Sequence, residues 1–209
     1  MYEFGEKFRF TLFGRSHGPC VGCILEGVPE GTAIDEAFIA QEMSLRKPKG
    51  KIGTPRRETD EVEIVQGVIG GHATGQPILM KIANGDTDGS KYMKFYDTPR
   101  PGHADLPALL KFPKHDLRGS GQFSGRLTAA IVAAGAVAKL LLSERGIRIG
   151  AFTRRVGDVA DDESRGPRDA LSSRDYATRA CTPELDERMR LAIEEAGGEG
   201  DSIGGVGGR

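Results

Sequence analysis

The sequence predicts a mixed fold of β-strands and α-helices without an internal repeat of fixed period. Three observations support this interpretation. Polarity alternates over residues 8–12, a proline-free segment rich in alanine and leucine covers 127–145, and a capped helical segment follows Thr182. At 209 residues and 38% apolar content, the chain can bury a substantial core as one large or two small domains.

The first half of the chain contains most of the predicted strands. Strands are predicted over four short segments: 8–12, 21–25, 61–68 and 77–82. A turn joins the first two, and the turn signal Asn84-Gly85 closes the last. Asp35 can cap a helix that continues to about Leu45, and a short helix is expected after Asp105.

Helices dominate the second half. The segment 127–145 predicts the longest helix, because it has strong helix formers and is followed by a glycine. A strand is expected over 147–152. Residues 157–181 are polar, charged and without period, which predicts an irregular excursion. The last helix begins after Thr182 and ends at the glycine pair 197–198.

The charge and cysteine content exclude several classes of protein. With 30 acidic and 29 basic residues, the net charge is nearly zero, which argues against general binding to nucleic acid or anionic membranes. The alanine-rich segment 127–143 is only weakly hydrophobic and is predicted to be a core helix. The acidic, aromatic N-terminus is not typical of a signal peptide, and three cysteines indicate a reducing cytoplasm. Cys20 and Cys23 have CxxC spacing but no second pair, so no metal site is predicted.

Two segments place a histidine among glycine, proline and positive charge. In the segment 14–19, Gly-Arg-Ser-His-Gly-Pro, His17 could exchange a proton at neutral pH or simply bind the backbone of its turn. In the segment 100–105, Arg-Pro-Gly-His-Ala-Asp, His103 and its charged neighbours could attract a phosphate, or the aspartate could cap the next helix. His72 and His115 lack such neighbours and are predicted to be solvated.

Two further segments suit an anionic ligand. Residues 119–126 combine glycines, serines and Arg126 before a long helix, which is typical of a phosphate cradle or of a capped turn without ligand. The segment lacks the spacing of a P-loop or a dinucleotide fingerprint. Residues 46–57 carry six basic residues and no acid. This mobile cationic loop could be solvated surface or bind nucleic acid, but it has no aromatic residue, and a lid over a small anion fits better.

Six ordered segments resemble those of the chorismate synthase family. They are 14–19, 56–62, 71–77, 84–92, 100–105 and 119–128. The resemblance implies an α+β fold in which antiparallel sheets pack against helices, with 1–209 as a single domain of that kind. It also implies the last step of the shikimate pathway in aromatic amino acid biosynthesis. In this reaction, 5-enolpyruvylshikimate 3-phosphate loses phosphate and a C6 proton by anti-1,4-elimination, with reduced FMN required but not consumed.

The resemblance implies roles for the two histidines and the flavin segment. His17 would protonate or hold reduced flavin near N1 and the C2 carbonyl. His103 would assist the departing phosphate as general acid or hydrogen-bond donor. Gln122, Phe123 and Ser124 fall in the flavin-contact segment.

The resemblance further implies a set of cations at the site. Arg46 and Arg126 would bind substrate charge. Lys51 and Arg57 fall where the family is associated with NADPH, although Lys51 stands where arginine is common and cannot reproduce a bidentate contact. Family members form homotetramers in the cytoplasm and bind neither nucleic acid nor membrane.

Family members continue well beyond the segment 201–205, with further flavin-binding loops and catalytic groups. The chain is therefore expected to be the N-terminal portion of an interrupted gene product with an incomplete core. An inactive fragment that keeps only assembly or phosphate-binding surfaces is the alternative function. An RNA-binding module that relies on 46–57 is disfavoured by the near-neutral charge.

Overall fold

The computed structural model describes residues 2–47, 52–53, 58–112, 114, 116–203 and 206–208. Contacts along the chain divide it into two compact units. The first is drawn from Met1–Arg46 and Arg56–Arg145, and the second from Lys47–Pro55 and Gly146–Arg209. The interpretation of 1–209 as a single domain stays a prediction, and most of the predicted cationic loop lies outside the described residues.

An antiparallel sheet forms the centre of the first unit. The strands of this unit are, in chain order, β1 (Tyr2–Phe4), β2 (Arg9–Gly14), β3 (Cys20–Glu26), β4 (Val62–Gln66), β5 (Val68–Ile69), β6 (His72–Ala73) and β7 (Ile78–Ala83). Five of them pair in the order β1-β2-β3-β7-β4, and β5 pairs with β6. The four predicted strands are all confirmed, whereas β1, β5 and β6 are too short to show a period in the sequence.

The described residues of the first unit form three α-helices. They are α1 (Glu36–Arg46), α2 (Asp105–Lys111) and α3 (Thr128–Ser143). The side chain of Asp35 accepts a hydrogen bond from the Phe38 amide at 3.0 Å, which is the predicted cap of α1. Helix α3 packs against α1, β3 and β7. The predicted α+β fold with antiparallel strands and packed helices is therefore confirmed.

The buried face of α3 is built from small side chains: Ala129, Ala130, Ala133, Ala134, Ala136 and Val137. Small residues let the helix backbone approach the sheet closely, where apolar strand residues complete the core. Among the described residues, the stretch Arg118–Ser143 is long and apolar enough to cross a membrane by composition. The burial of its alanine face against the sheet agrees with the predicted core helix.

The second unit has its own small sheet and hydrophobic cluster. Its elements are β8 (Thr153–Val156), β9 (Val159–Ala160), α4 (Pro167–Ser172), α5 (Pro183–Gly198) and β10 (Val206–Gly208). The strands pair antiparallel in the order β10-β8-β9, and α5 packs against β8 and β9. Thr182 caps α5 as predicted, because its side chain accepts a hydrogen bond from the Leu185 amide.

The structure corrects the prediction for 147–152. The alternating isoleucines suggested a strand there, but Ile147 and Ile149 are exposed and β8 begins only at Thr153. A period-2 pattern forms a strand only where a neighbouring strand offers hydrogen bonds. Among the described residues, β10 pairs with β8 from Thr153 onward and β9 pairs with it from Arg155 onward.

The predicted irregular excursion at 157–181 contains short ordered elements. Strand β9 and helix α4 both lie within it. Pro167 begins α4, and Asp169 accepts a hydrogen bond from the Gly166 amide at 2.8 Å, so local capping chemistry forms a helix too short to show a period.

Candidate active site

His17 lies in the predicted turn between β2 and β3, and we call the segment 14–19 the His17 loop. The imidazole side chain is 5% exposed. Its ring lies against the ring of Tyr92, with centroids 5.3 Å apart, and Nδ1 is 3.6 Å from Oδ1 of Asp86. That separation is too long for a hydrogen bond. Among the residues that the structure describes, Nδ1 is buried without a hydrogen-bond partner.

A glycine loop packs directly on the other edge of the His17 ring. Gly119 has φ +56°, and a Cβ built there would lie 2.6 Å from His17 Cδ2. Ser120 and Gly121 continue the loop with φ values of 65° and 52°. The Gly121 carbonyl accepts a hydrogen bond from the Ser16 amide at 3.1 Å. Three consecutive residues in the left-handed region bring backbone against the imidazole where a side chain would not fit.

Asn84 anchors the His17 loop to the end of β7. Its side-chain NH₂ donates to the carbonyls of Arg15, at 2.9 Å, and Gly18, at 2.8 Å. Its backbone amide donates to the Pro19 carbonyl at 3.1 Å. The sequence marked Asn84 only as a turn residue, but it is 9% exposed and belongs to the site.

Arg126 lies in a buried network of charges and is 3% exposed. Its Nε donates to Asn84 Oδ1 at 2.8 Å, its Nη1 donates to Asp60, and its Nη2 donates to the Ala83 carbonyl at 3.1 Å. The Glu58 carboxylate lies 3.8 Å from Nη2. The guanidinium donors are therefore engaged by protein acceptors in this structure.

Asp60 joins Arg126 to a second arginine. Arg46, at the end of α1, donates to the other oxygen of Asp60 and to Oγ1 of Thr128. Burial alone would raise the pKa of Asp60, but the hydrogen bonds and charges of Arg126 and Arg46 outweigh it and lower this pKa. Two arginines thus share a carboxylate that is ionised at neutral pH.

The second histidine segment is held by an arginine–aspartate pair. Arg100 donates to both carboxylate oxygens of Asp105, at 2.8 and 3.0 Å, and to Ser120 Oγ at 3.1 Å. The hydrogen bond from Arg100 lowers the pKa of the buried Asp105. The Asp105 carboxylate therefore binds Arg100, whereas one alternative had been that it caps the following helix. His103 is exposed, with Nδ1 3.0 Å from the Pro101 carbonyl.

Tyr92 links the two histidine segments. Its ring faces His17 on one side, and the guanidinium of Arg100 lies 5.3 Å from the ring centroid. Arg100 also reaches Ser120, which follows the glycine packed on His17. The segments 14–19, 100–105 and 119–126, which the sequence singled out separately, are thus joined by contacts in the first unit.

A cavity of about 540 Å³ lies beside the His17 loop. Its lining includes backbone of the loop together with Arg15, Phe112, Lys114, Asp116 and Gln122. Asp116 lies 3.4 Å from Arg15 and 2.7 Å from Arg118. The hydrogen bond from Arg118 holds the pKa of Asp116 below its usual value, so a carboxylate balances part of the positive lining.

Comparisons with known proteins agree with the geometry. The sequence model of the family described as chorismate synthase matches residues 8–207. The chain belongs to the chorismate synthase family. The chorismate synthase of Aeropyrum pernix is 48% identical over 205 residues, which cover 97% of this chain and 54% of that protein. The chorismate synthase of Wolinella succinogenes is 43% identical over 207 residues, covering 99% and 56% respectively.

A solved structure extends the similarity to the fold. A crystal structure of chorismate synthase superimposes with a TM-score of 0.75 and 32% identity, covering 97% of this chain and 58% of that chain. The chain therefore spans just over half the length of the chorismate synthases that it matches.

The flavin-contact residues expected for a chorismate synthase occupy three different surroundings. Gln122 lines the cavity beside the His17 loop. The ring of Phe123 lies 6.2 Å from the rings of Tyr2 and Phe112. Ser124 accepts a hydrogen bond from the Arg126 amide at 3.2 Å. Lys51 and Arg57, expected near NADPH, lie outside the described residues.

Sequence reasoning missed the residues that hold this part of a chorismate synthase together. Tyr92, Asp86 and Asn84 fall in one family-like segment, but no role was predicted for them. Asp60 has a φ of +55°, a conformation that its local sequence does not predict. A useful signal was available for Asn84, since it is the sole asparagine in the sequence and precedes a glycine at the end of a strand.

Proposed function

We propose that this chain forms the His17-containing part of a chorismate synthase active site. The proposed substrate is 5-enolpyruvylshikimate 3-phosphate and the products are chorismate and phosphate. The observation that carries the proposal is His17, a buried imidazole whose Nδ1 has no hydrogen-bond partner among the described residues. Because a buried polar atom without a partner costs free energy, such an atom suits a ligand that completes the bond.

The described residues fit one polar edge of a flavin. The unpaired Nδ1 of His17 offers a hydrogen bond, and the backbone at Gly119 approaches closely because no Cβ intervenes. Gln122 adds an amide at the cavity beside the same loop. Reduced FMN, when bound, supplies the electron density that the elimination requires and is not consumed.

In the elimination, phosphate leaves with the electron pair of its C–O bond, and the electron pair of the C6–H bond forms a second ring double bond as the existing one shifts. The C6 proton passes to a base, a role that we assign to none of the described residues. His17 holds or gives a proton at Nδ1 toward the bound flavin, where no protein acceptor lies within hydrogen-bonding distance among the described residues. The glycine loop excludes water from the opposite edge of the ring.

His103 assists the departing phosphate in this proposal. When its ring is protonated, Nδ1–H donates to the Pro101 carbonyl 3.0 Å away, and Nε2–H remains for a phosphate oxygen. The Arg100–Asp105 pair fixes the segment that carries this histidine. His103 is exposed, as is expected of a group that contacts a substrate rather than the protein core.

The cations complete the proposal. We propose that Arg46, which is 22% exposed at its side chain and is bound to Asp60, binds substrate charge. Arg126 supports the same network, because each of its three guanidinium nitrogens donates to a protein acceptor. Binding of substrate charge by Arg126, and of NADPH by Lys51 and Arg57, stays a prediction. We also propose a homotetramer in the cytoplasm, by analogy with the family.

An anaerobic assay of the purified protein tests the proposed function. With chemically reduced FMN and 5-enolpyruvylshikimate 3-phosphate, chorismate and phosphate should form in equal amounts. His17→Ala and His103→Ala should each lower kcat by about 10²- to 10⁴-fold, because both groups act on protons at the reacting centre. The matched control is His72→Ala, whose exposed ring contacts the Gly70 carbonyl and should leave turnover unchanged.

The proposal fails if the wild-type protein forms neither product while a known chorismate synthase is active in the same assay. Unchanged turnover in His17→Ala would remove this histidine from the chemistry.

A further inference from the structure

Asn84 uses every polar atom of its side chain in bonds to distant parts of the chain. The NH₂ group donates to Arg15 and Gly18, which are 69 and 66 residues away. The Oδ1 atom accepts from Arg126 Nε, which is 42 residues away. All three bonds are 2.8–2.9 Å long. A buried amide with three long-range partners is unusual for a residue whose local role is a turn.

The orientation of this amide is fixed by its partners. Arg126 Nε can only donate, so Oδ1 must face it. The two carbonyls can only accept, so the NH₂ group must face them. A flipped amide would place its NH₂ group against the Arg126 donor and its oxygen against the two carbonyls. Only one orientation of the side chain therefore satisfies all three hydrogen bonds.

The two carbonyls flank His17 in sequence. Arg15 precedes it by two residues and Gly18 follows it by one, so the amide closes the loop around the histidine from the sheet side. From the other side, the Gly121 carbonyl binds the Ser16 amide, and Gly119 packs on the ring. Loss of the side-chain donors would leave the bond from the Asn84 backbone amide to Pro19 as the remaining hydrogen bond of Asn84 to the loop among the described residues.

We propose that Asn84 is a positioning residue for His17. Its hydrogen bonds connect the loop that carries the imidazole to the Arg126–Asp60 network. This inference rests on the proposed function for its effect on turnover, but its structural part stands without it. Asn84 itself touches no reacting atom in this account. Its effect is to hold Nδ1 of His17 in place, and a displacement of about 1 Å at a reacting group can lower turnover by about 10²-fold.

The test variant is Asn84→Asp, which keeps the shape of the side chain and the acceptor for Arg126. It replaces the two donors with an oxygen that repels the Arg15 and Gly18 carbonyls. In the purified protein we expect kcat to fall by about 10²-fold while KM for 5-enolpyruvylshikimate 3-phosphate changes little. The matched control is Glu42→Gln, which breaks the Lys139–Glu42 pair between α3 and α1, away from the His17 loop.

A spectroscopic readout separates this inference from the proposed function. The ring signals of His17 in NMR spectra of the ligand-free protein should shift in Asn84→Asp and stay in place in Glu42→Gln. Absence of turnover in the wild type would contradict the proposed function, but the comparison of His17 ring signals between the variants would still be valid. His17 signals that are identical in Asn84→Asp and wild type, or an equal loss of kcat in both variants, would overturn the positioning role.

If Asn84→Asp does not fold, the wild-type protein still decides the question. Asn84 is the sole asparagine, so selective labelling with ¹⁵N-asparagine gives one side-chain NH₂ pair. The inference expects both protons of this pair to be strongly protected from exchange with solvent. Rapid exchange of both would show that the bonds to Arg15 and Gly18 do not persist, and would overturn it.

Discussion

The His17 ring lies against Tyr92 and beside Asp86, and the backbone at Gly119 leaves no room there for a side chain. A Cβ at Gly119 would lie 2.6 Å from Cδ2 and 2.7 Å from Nε2 of His17. Both atoms belong to a rigid ring in a buried position, so the ring must move if a side chain is added. The left-handed φ of +56° adds a backbone cost of about 1 kcal/mol for any residue with a Cβ.

We therefore expect Gly119→Ala to lower kcat of the protein by about 10²-fold, because it displaces the imidazole. Gly70→Ala is the matched control. Gly70 has the same φ of +56°, and among the described atoms nothing lies within 4 Å of its built Cβ. Steady-state kinetics with reduced FMN measure both variants. An equal loss of kcat in the two variants would show that backbone strain, rather than contact with His17, explains the effect.

Single residues also show where sequence reasoning ends. His17 could be predicted because glycine, proline and arginine surround it within six positions. The partners of Asn84 could not, because they lie 42 to 69 residues away and meet only after the sheet has formed. The charge of Arg126 was visible in the sequence, whereas its engagement with Asp60 depends on packing.

At the scale of elements, Asp60 ties together three parts of the first unit. Arg46 ends α1, Asp60 precedes β4, and Arg126 leads into α3. The pKa of Asp60 is lowered in the folded chain, because the two arginines outweigh the effect of burial. A carboxylate with a lowered pKa contributes stability above its unfolded pKa of about 3.9, and this contribution is lost as pH falls through the folded value.

We expect Asp60→Asn to lower the free energy of unfolding at pH 7 by about 3–5 kcal/mol, since the buried guanidinium of Arg126 and the partly buried guanidinium of Arg46 lose their carboxylate. Asparagine tolerates the φ of +55° at this position, so backbone strain does not add to the loss. The difference from wild type should shrink as pH falls below about 4, because the unfolded wild-type chain takes up a proton on Asp60 there, whereas the folded chain, in which this pKa is lowered, stays ionised to lower pH.

Urea unfolding curves at pH 7 and at pH 3 measure this difference. Glu63→Gln is the control, because it removes an exposed pair with Lys81 that contributes little to stability. A difference between Asp60→Asn and wild type that is the same at both pH values would contradict the assignment.

Helices and strands could be predicted where the residues within the element itself indicated its structure. The long alanine-rich helix and the hairpin around the His17 loop follow from composition, alternation and turn residues. The strand expected at 147–152 was wrong, because alternation there is not matched by a pairing neighbour and the isoleucines face solvent. Short elements such as β1 and α4 depend on a partner strand or a cap rather than on a period.

At the scale of the whole molecule, the family similarity covers more of the chain than the candidate site does. The chorismate synthase model matches residues 8–207, which reach into both compact units. The described candidate-site residues all belong to the first unit. The chain spans just over half the length of its matched relatives, so the full activity is a proposal.

The central claim is that one ligand site is organised around His17, and NMR of the histidine rings tests it most directly. The chain has four histidines, so single substitutions suffice to assign them. FMN and 5-enolpyruvylshikimate 3-phosphate are added together to the purified protein. The account predicts that the His17 ring signals shift on binding while those of exposed His72 stay in place. Binding of both ligands without any change at His17 would contradict it.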